Sequence, residues 1–447
     1  MEERKKLTPV VPLSKQPQAG QGRLHDLAPQ QRRALLIGAY ESKEKVKCEE
    51  QLEELESLCN TYGLETVLKL PCPLRAIDPA TFIGSGKVEE IKQLAEENLC
   101  DVVVFDDEIS SQQQRNLEKL LERVVIDRTE LILAVFAQRA STREARIQIE
   151  LATFRYQMPR LRRMWTHLSR QRSGGSGGGF VKGEGEKQIE IDRRIVRRQI
   201  DRLQAELKEV KKQRQIQHRL RERSGIPTFA IIGYTNVGKS TLLRALTDAD
   251  VLVEDKLFAT LDTTTRKFVL PNKQAILLVD TVGFIRKIPH QLVAAFKSTL
   301  EEAVQTDILL HLIDVSSPTA EMQAEATFEV LKELGAEKKP MITVLNKVDR
   351  CENRALILRM KFKYPNTVEI SALHQTGFDA LMDAMIREIS LLRKIVKLRV
   401  PQSHYALVTD VMREGKILSL DYEDNDILLE VEIPQQLEHK IAHFIVL

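Results

Sequence analysis

Apolar positions along this chain follow two periods, and the switches between them divide it into units. Short apolar runs over residues 33–38, 64–70, 101–105 and 124–127 predict strands. Amphipathic stretches over 49–62, 88–98 and 111–122 predict the helices between them. Such alternation predicts an α/β domain with a parallel sheet over residues 24–140. It follows a tail over 1–23, rich in Pro, Gln and Lys and predicted mobile. The period then becomes heptad-like. Ile147, Leu151, Phe154, Met158, Leu161, Trp165 and Leu168 form one stripe, and Ile189, Val196, Ile200, Leu203, Leu207 and Val210 another. Between the stripes, seven of the fourteen residues 173–186 are glycine, which a helix does not sustain. The pattern predicts an antiparallel helical hairpin over 141–224 with a Gly-rich tip, kinked at Pro159.

Strand-like runs return over 229–232, 275–279, 341–345 and 368–370, inside a unit spanning 225–394. A last unit over 395–447 predicts strands at 396–400, 417–422 and 427–431, a helix at 404–414 and a final helix from Pro434. It reads as a small α+β domain with no catalytic constellation.

Charge singles out the hairpin. Residues 155–224 carry 20 basic and 8 acidic residues, a net of +12, against −9 for the rest of the chain. Arg160, Arg162, Arg163, Arg170, Arg172, Arg193, Arg194, Arg197, Arg198 and Arg202 are expected on its outer faces. That concentration points to a polyanion, and the scarcity of aromatics favours phosphate and shape contacts on folded RNA over base stacking. The five cysteines are scattered without a C-x-x-C pair, and no apolar run is long enough to span a bilayer. A cytoplasmic, monomeric protein is expected, with a membrane-peripheral fraction allowed.

The chemistry lies in 225–394. Gly233, Tyr234, Thr235, Asn236, Val237, Gly238, Lys239, Ser240 and Thr241 fit the P-loop pattern G-x-x-x-x-G-K-[ST], after a strand and before a helix. Backbone N–H groups there cradle phosphate, Lys239 reaches the terminal phosphates and Ser240 ligates Mg²⁺. Asp280, Thr281, Val282 and Gly283 follow a strand; the carboxylate acts on Mg²⁺ through water, and the Gly283 N–H meets the γ-phosphate. Asn346, Lys347, Val348 and Asp349 bring a carboxylate for guanine N1 and N2, which selects GTP over ATP. Ser371, Ala372 and Leu373 supply a backbone amide for guanine O6. In order and spacing these motifs resemble a translation-factor-class small GTPase domain.

Phe258, Ala259, Thr260, Leu261, Asp262, Thr263, Thr264, Thr265 and Arg266 offer four threonines for a switch over Mg²⁺, and spacing does not choose among them. Phe284 stands where many GTPases carry a water-orienting glutamine, which points to slow hydrolysis stimulated by a partner. Two further features, Gly84-Ser85-Gly86-Lys87 and Asp106-Asp107-Glu108, read as a phosphate-loop look-alike and a solvated strand end.

Taken with residues 82–87 and 104–110 and the glycine-tipped hairpin, the motifs over 258–262 and 280–284 resemble the bacterial HflX family of ribosome-associated GTPases from about residue 24 to 392. The resemblance implies Thr260 as the switch threonine, which with Ser240 holds Mg²⁺, and Lys239, Thr260 and Gly283 as the catalytic set. It also implies binding to the large ribosomal subunit and its rRNA, with the hairpin tip near the peptidyl-transferase centre, and GTP-dependent splitting of stalled ribosomes. Alternatives are a GTPase of large-subunit assembly and an ATP- or GTP-driven RNA remodeller using the amino-terminal domain. Two places depart from the family: Thr263 stands where proline is usual, and the tip over 181–188 differs from the usual R-G-P-G-E-T-Q type.

Overall fold

The computed structural model describes residues 32–41, 44–160, 182–222, 226–247, 257–258, 264–287, 305–364, 366–414, 416–423, 425–434 and 441–446. The amino-terminal tail, most of the Gly-rich tip and Ala259–Thr263 lie outside them.

The first unit holds strands β1 (Arg32–Glu41), β2 (Leu64–Leu74), β3 (Val102–Phe105) and β4 (Val124–Asp127) in a parallel sheet of order β2-β1-β3-β4. Helices α1 (Lys45–Tyr62), α2 (Ser85–Glu97), α3 (Ser111–Leu121) and α4 (Arg128–Arg139) complete it. Sequence patterning located all but α4. Both faces of the sheet are covered, so β1 has no polar side: Ala34 and Leu36 enter one core and Leu35 and Ile37 the other. Ser110 caps α3 in a full capping box with Gln113, and Asp127 caps α4 through the Glu130 N–H.

Helix α5 (Arg143–Gln157) packs on α6 (Lys182–Glu222) through Ile147, Leu151, Phe154 and Leu203, with Val196, Ile200 and Leu207 alongside. Arg143, at the start of α5, pairs with Glu206 in the second half of α6, as a hairpin requires. A 3-10 turn over Met158–Arg160, holding Pro159, follows α5. Two expectations need correction. Helix α6 takes in Gly183 and Gly185, so the glycine tip ends earlier than composition suggests. Propagating a long helix offsets about 1 kcal/mol per glycine. Helix α5 is also apolar on a second face: Ala145, Ile149, Ala152 and Tyr156 join the core of the first unit, fixing the hairpin base to it.

The third unit is a six-stranded sheet of order β10-β9-β8-β5-β7-β6, parallel except for the β6–β7 pair. Its strands are β5 (Thr228–Gly233), β6 (Thr264–Val269), β7 (Ala275–Asp280), β8 (Ile308–Asp314), β9 (Met341–Asn346) and β10 (Thr367–Glu369). Helices α7 (Lys239–Thr247), α8 (Ala320–Glu333), α9 (Arg354–Lys363) and α10 (Phe378–Leu391) surround it. In the last unit β11 (Arg393–Pro401), β12 (Lys416–Glu423), β13 (Asp426–Pro434) and β14 (Ile445–Val446) form an antiparallel sheet beside α11 (Tyr405–Glu414). Pro434 ends β13; the final helix expected from Pro434 falls on 435–440, outside the described residues, and a 3-10 turn, Ala442–Phe444, precedes β14.

The first and third units share one hydrophobic core. Phe136 of α4 meets Phe258 edge-on, with ring centroids 4.4 Å apart, and the Leu257 N–H donates to Thr61 Oγ1. All five cysteines are free thiols, and among the described residues no helix is long and apolar enough to cross a membrane.

His311 on β8 is fully buried, edge-on to Phe328, and among the described residues neither ring nitrogen has a hydrogen-bond partner. Burial pushes its pKa down to about 3. The unfolded chain binds a proton near pH 6.5 that the folded chain refuses, so stability falls as pH drops below 6.5. Taking this group alone, the loss between neutral pH and pH 5 is about 2 kcal/mol. His311→Phe is expected to retain more of its neutral-pH urea midpoint at pH 5 than the parent. An equal fall in both proteins would rule His311 out as the source.

Candidate nucleotide site

Strand β5 enters a loop closed by backbone geometry that only glycine accepts. At Gly233 (φ +149°) an added Cβ would lie 2.4 Å from the Leu312 carbonyl oxygen, and at Gly238 (φ +93°) 2.5 Å from Asn346 Nδ2. The loop is therefore pressed onto β8 and β9. Lys239 is buried at its end, and Nζ donates to the Gly233 and Tyr234 carbonyls at 3.1 and 2.7 Å. Burial lowers its pKa to about 8, with Asp280 opposing that shift.

Ser240 donates to Asp280 Oδ2 at 2.9 Å. Asp280 ends β7 and is fully buried. A hydroxyl and a carboxylate converging beside a phosphate loop form a hard-oxygen donor set, which fits Mg²⁺. Gly283 lies against the P-loop: an added Cβ there would sit 2.7 Å from Thr235 Cγ2 and 3.0 Å from Lys239 Nζ. Phe284 is 1% exposed and packs in the core. Its backbone is tied to the P-loop, Phe284 N–H to the Gly233 carbonyl and Thr235 N–H to the Phe284 carbonyl. The side chain that replaces glutamine thus contributes no polar group.

The base-side residues are mutually braced. Asn346 donates from Nδ2 to the Val237 carbonyl and accepts at Oδ1 from the Ala372 N–H. Lys347 (φ +62°) turns the chain, and its Nζ reaches the Asn236 carbonyl at 2.8 Å and Asp314 Oδ2 at 2.7 Å. Asp314 carries no motif signal. Asp349 sits in a 3-10 turn, Val348–Arg350, its carboxyl held below the usual range chiefly by the Ser371 hydroxyl. The structure thus gathers the P-loop, residues 280–283, 346–349 and 371–373 at one end of the sheet, with Phe258 beside α4. Thr260 lies outside the described residues, as do Ala259, Leu261 and Asp262.

Sequence reasoning missed a polar interface between the first unit and this site. Asp106 is 2% exposed, not a solvated strand end. It accepts from Arg128 Nη1 at 2.9 Å and from Arg286 Nη2 at 3.0 and 2.9 Å. Arg128 also pairs with Glu54. The Tyr234 hydroxyl donates to Glu54 Oε2 at 2.8 Å and accepts the Arg286 N–H at 2.7 Å. Arg160, expected on the RNA-facing surface, is buried instead. The turn at Pro159 folds it over the Tyr156 ring, 3.7 Å from the centroid, and against Asp127 Oδ2 at 3.3 Å. Burial pushes the Asp127 pKa up to about 6, against the pull of Arg160. Gly84–Lys87 lies at the start of α2, where Lys87 pairs with Glu90. Among the described residues no cluster of His, Cys, Asp and Glu is arranged to hold a metal.

Three family models match in tandem: GTP-binding GTPase N-terminal over residues 49–137, GTP-binding GTPase Middle Region over 139–221, and 50S ribosome-binding GTPase over 228–347. The chain is 48% identical over 414 residues to the GTPase HflX of Chlamydia pneumoniae, covering 92% of this chain and 88% of that protein. It is 40% identical over 413 residues to the GTPase HflX of Escherichia coli, covering 90% and 93%. A crystal structure of a GTP-binding protein from Sulfolobus solfataricus in complex with GDP aligns with 81% of this chain and 99% of its own, at 26% identity and a TM-score of 0.43.

Proposed function

Because the chain belongs to the HflX family of GTPases and is itself a GTPase, we propose that it acts as a nucleotide-controlled switch on the large ribosomal subunit and dissociates stalled ribosomes under stress. The observation that carries this reading is the hairpin's surface. Arg194, Arg197, Arg198 and Arg202 stand exposed along α6, on a helix pair anchored to the unit that contacts the nucleotide site. The third family model's own description, a 50S ribosome-binding GTPase, agrees with it.

In this reading Lys239 turns from the two carbonyls that it now meets to the β- and γ-phosphates. Gly283 presents its N–H to the γ-phosphate, and Asp349 and the Ala372 region read guanine. Ser240 and Thr260 hold Mg²⁺, which when bound supplies charge neutralisation on the phosphates. Phe284 orients no water, so hydrolysis is slow until a partner completes the geometry. Hydrolysis then relaxes the switch segments and favours release.

The test is GTP turnover with and without purified large ribosomal subunits, for the full chain and for a variant lacking residues 173–186. Strong stimulation that the deletion abolishes is expected. An Arg194/Arg197/Arg198→Ala variant is expected to bind the subunit more weakly and to reduce the salt slope by roughly one for each phosphate it no longer neutralises. Lack of any stimulation would move the partner away from the ribosome while leaving the GTPase intact.

A further inference from the structure

Within the P-loop, Thr235 lies directly against residues 283 and 284. Its N–H donates to the Phe284 carbonyl at 2.7 Å, beside a parallel bridge between Tyr234 and Phe284. A Cβ added at Gly283 would sit 2.7 Å from Thr235 Cγ2, 2.9 Å from its Cα and 3.0 Å from Lys239 Nζ, so the three residues share one small space. Thr235 is 6% exposed, yet among the described residues its Oγ1 has no hydrogen-bond partner. The hydroxyls around it are committed elsewhere. Tyr234 donates to Glu54 Oε2, Ser240 to Asp280 Oδ2 and Thr281 to the Ile231 carbonyl. Folded proteins satisfy nearly all buried hydroxyls, and an exception in a phosphate loop points to a bond made with the ligand.

We propose that the Thr235 hydroxyl aligns the attacking water on the γ-phosphate, a task for which Phe284 has no polar group. A hydroxyl carries one donor and two acceptor lone pairs. It accepts from the water while donating to a γ-phosphate oxygen, which sets the water beside the phosphorus. The water oxygen then bonds to the γ-phosphorus as the bond from that phosphorus to the β–γ bridging oxygen breaks. GDP departs with the bonding electron pair on its β-phosphate oxygen, and the water's proton ends on inorganic phosphate. Thr235 keeps its own proton throughout and contributes alignment alone. Branching at Cβ, with Cγ2 set against Gly283, restricts χ1 and holds the hydroxyl in one direction. The proposal rests on the reading of Gly283 as the γ-phosphate contact and adds to it the group that places the nucleophile.

The test is single-turnover GTP hydrolysis by the full-length protein with Mg²⁺ and without ribosomal subunits, so a failed ribosome assignment leaves it untouched. Thr235→Val keeps the shape and the methyl and removes only the hydroxyl. Its rate at saturating GTP is expected to fall at least about tenfold, as for other positioned hydrogen-bonding groups, while affinity for a non-hydrolysable GTP analogue stays within about threefold. Thr235→Ser is expected to keep the rate within about threefold of the parent. Where valine disturbs the loop, Thr235→Ala against Thr235→Ser isolates the hydroxyl, since both lack the methyl; alanine is then expected to be at least about tenfold slower than serine. A smaller fall, equal losses with and without the hydroxyl, or analogue affinity falling in step with the rate overturns the proposal. Loss of GDP and analogue binding in all three variants would show Thr235 to be a structural part of the loop and overturn it as well. A parent chain that binds neither nucleotide would instead remove the reading of Gly283.

Discussion

Asp349→Asn is expected to lower GDP affinity by roughly two to three orders of magnitude and to raise affinity for XDP. In the proposed reading the carboxylate accepts from guanine N1–H and N2–H₂. Hydrogen bonds to a charged acceptor contribute about 1.5–3 kcal/mol each, and losing them from a desolvated site leaves ligand donors unpaired. A combined loss of about 3–4 kcal/mol corresponds to roughly 200- to 1,000-fold. Asparagine keeps the shape and turns one acceptor into a donor, which suits the C2 carbonyl of xanthine. The rest of the base site does not depend on Asp349: Asn346 braces the P-loop and the Ala372 amide by itself, and Lys347 is held by Asp314 and Asn236. The change is therefore one of specificity with little loss of fold. Calorimetric titration with GDP and XDP measures it, and an unchanged GDP affinity would mean that this carboxylate does not read the base.

Lys239→Ala separates ligand binding from stability in opposite directions. With ligand, the loss of the buried ammonium removes the principal charge facing the β- and γ-phosphates, and GTP affinity is expected to fall by about 100-fold or more. Without ligand, the same ammonium is a burden. A lysine pKa lowered from 10.5 to about 8 marks a charged group disfavoured by burial. Both folded and unfolded states are protonated at pH 7, so the full cost of about 3 kcal/mol applies there, and it declines as pH rises through 8 toward 10.5. Alanine removes that cost together with two carbonyl hydrogen bonds of about 1 kcal/mol each and the packing of the side chain. The protein without nucleotide is thus expected to melt within a few degrees of the parent, while the upward shift on adding GDP with Mg²⁺ disappears. Thermal melts with and without nucleotide read both at once. A variant that melts far below the parent without nucleotide would show Lys239 to be structural.

The nucleotide site was legible because its chemistry is local. A strand, a turn that demands glycine at Gly233 and Gly238, and a helix start lie close together in the chain, and local backbone requirements leave their mark in residue type. The same holds for the alternation that predicts three of the four helices beside the first sheet, and for the heptad stripes of the hairpin. Helix α4 was missed because its apolar residues show no clean polar face: Leu131, Ile132, Leu133, Ala134, Val135 and Phe136 are all buried.

Charges were misread where their surroundings come from far along the chain. Asp106 follows a strand and carries two more acidic residues after it, a pattern that ordinarily faces water. Its partner Arg286 is 180 residues away, and no local period announces their meeting. Arg160 belongs by composition to a basic arm, yet the turn at Pro159 and the Asp127 carboxylate draw it inward. Sequence by itself determined that the chain is a GTPase of this family and where the strands of its first sheet fall, since motif spacing and strand periodicity are local. Tertiary structure alone decided which charges are buried, and that the first unit grips both the Phe258 and Arg286 segments. Burial and ion pairing depend on what packs against a side chain, and in a doubly covered sheet those neighbours come from elements distant in the chain.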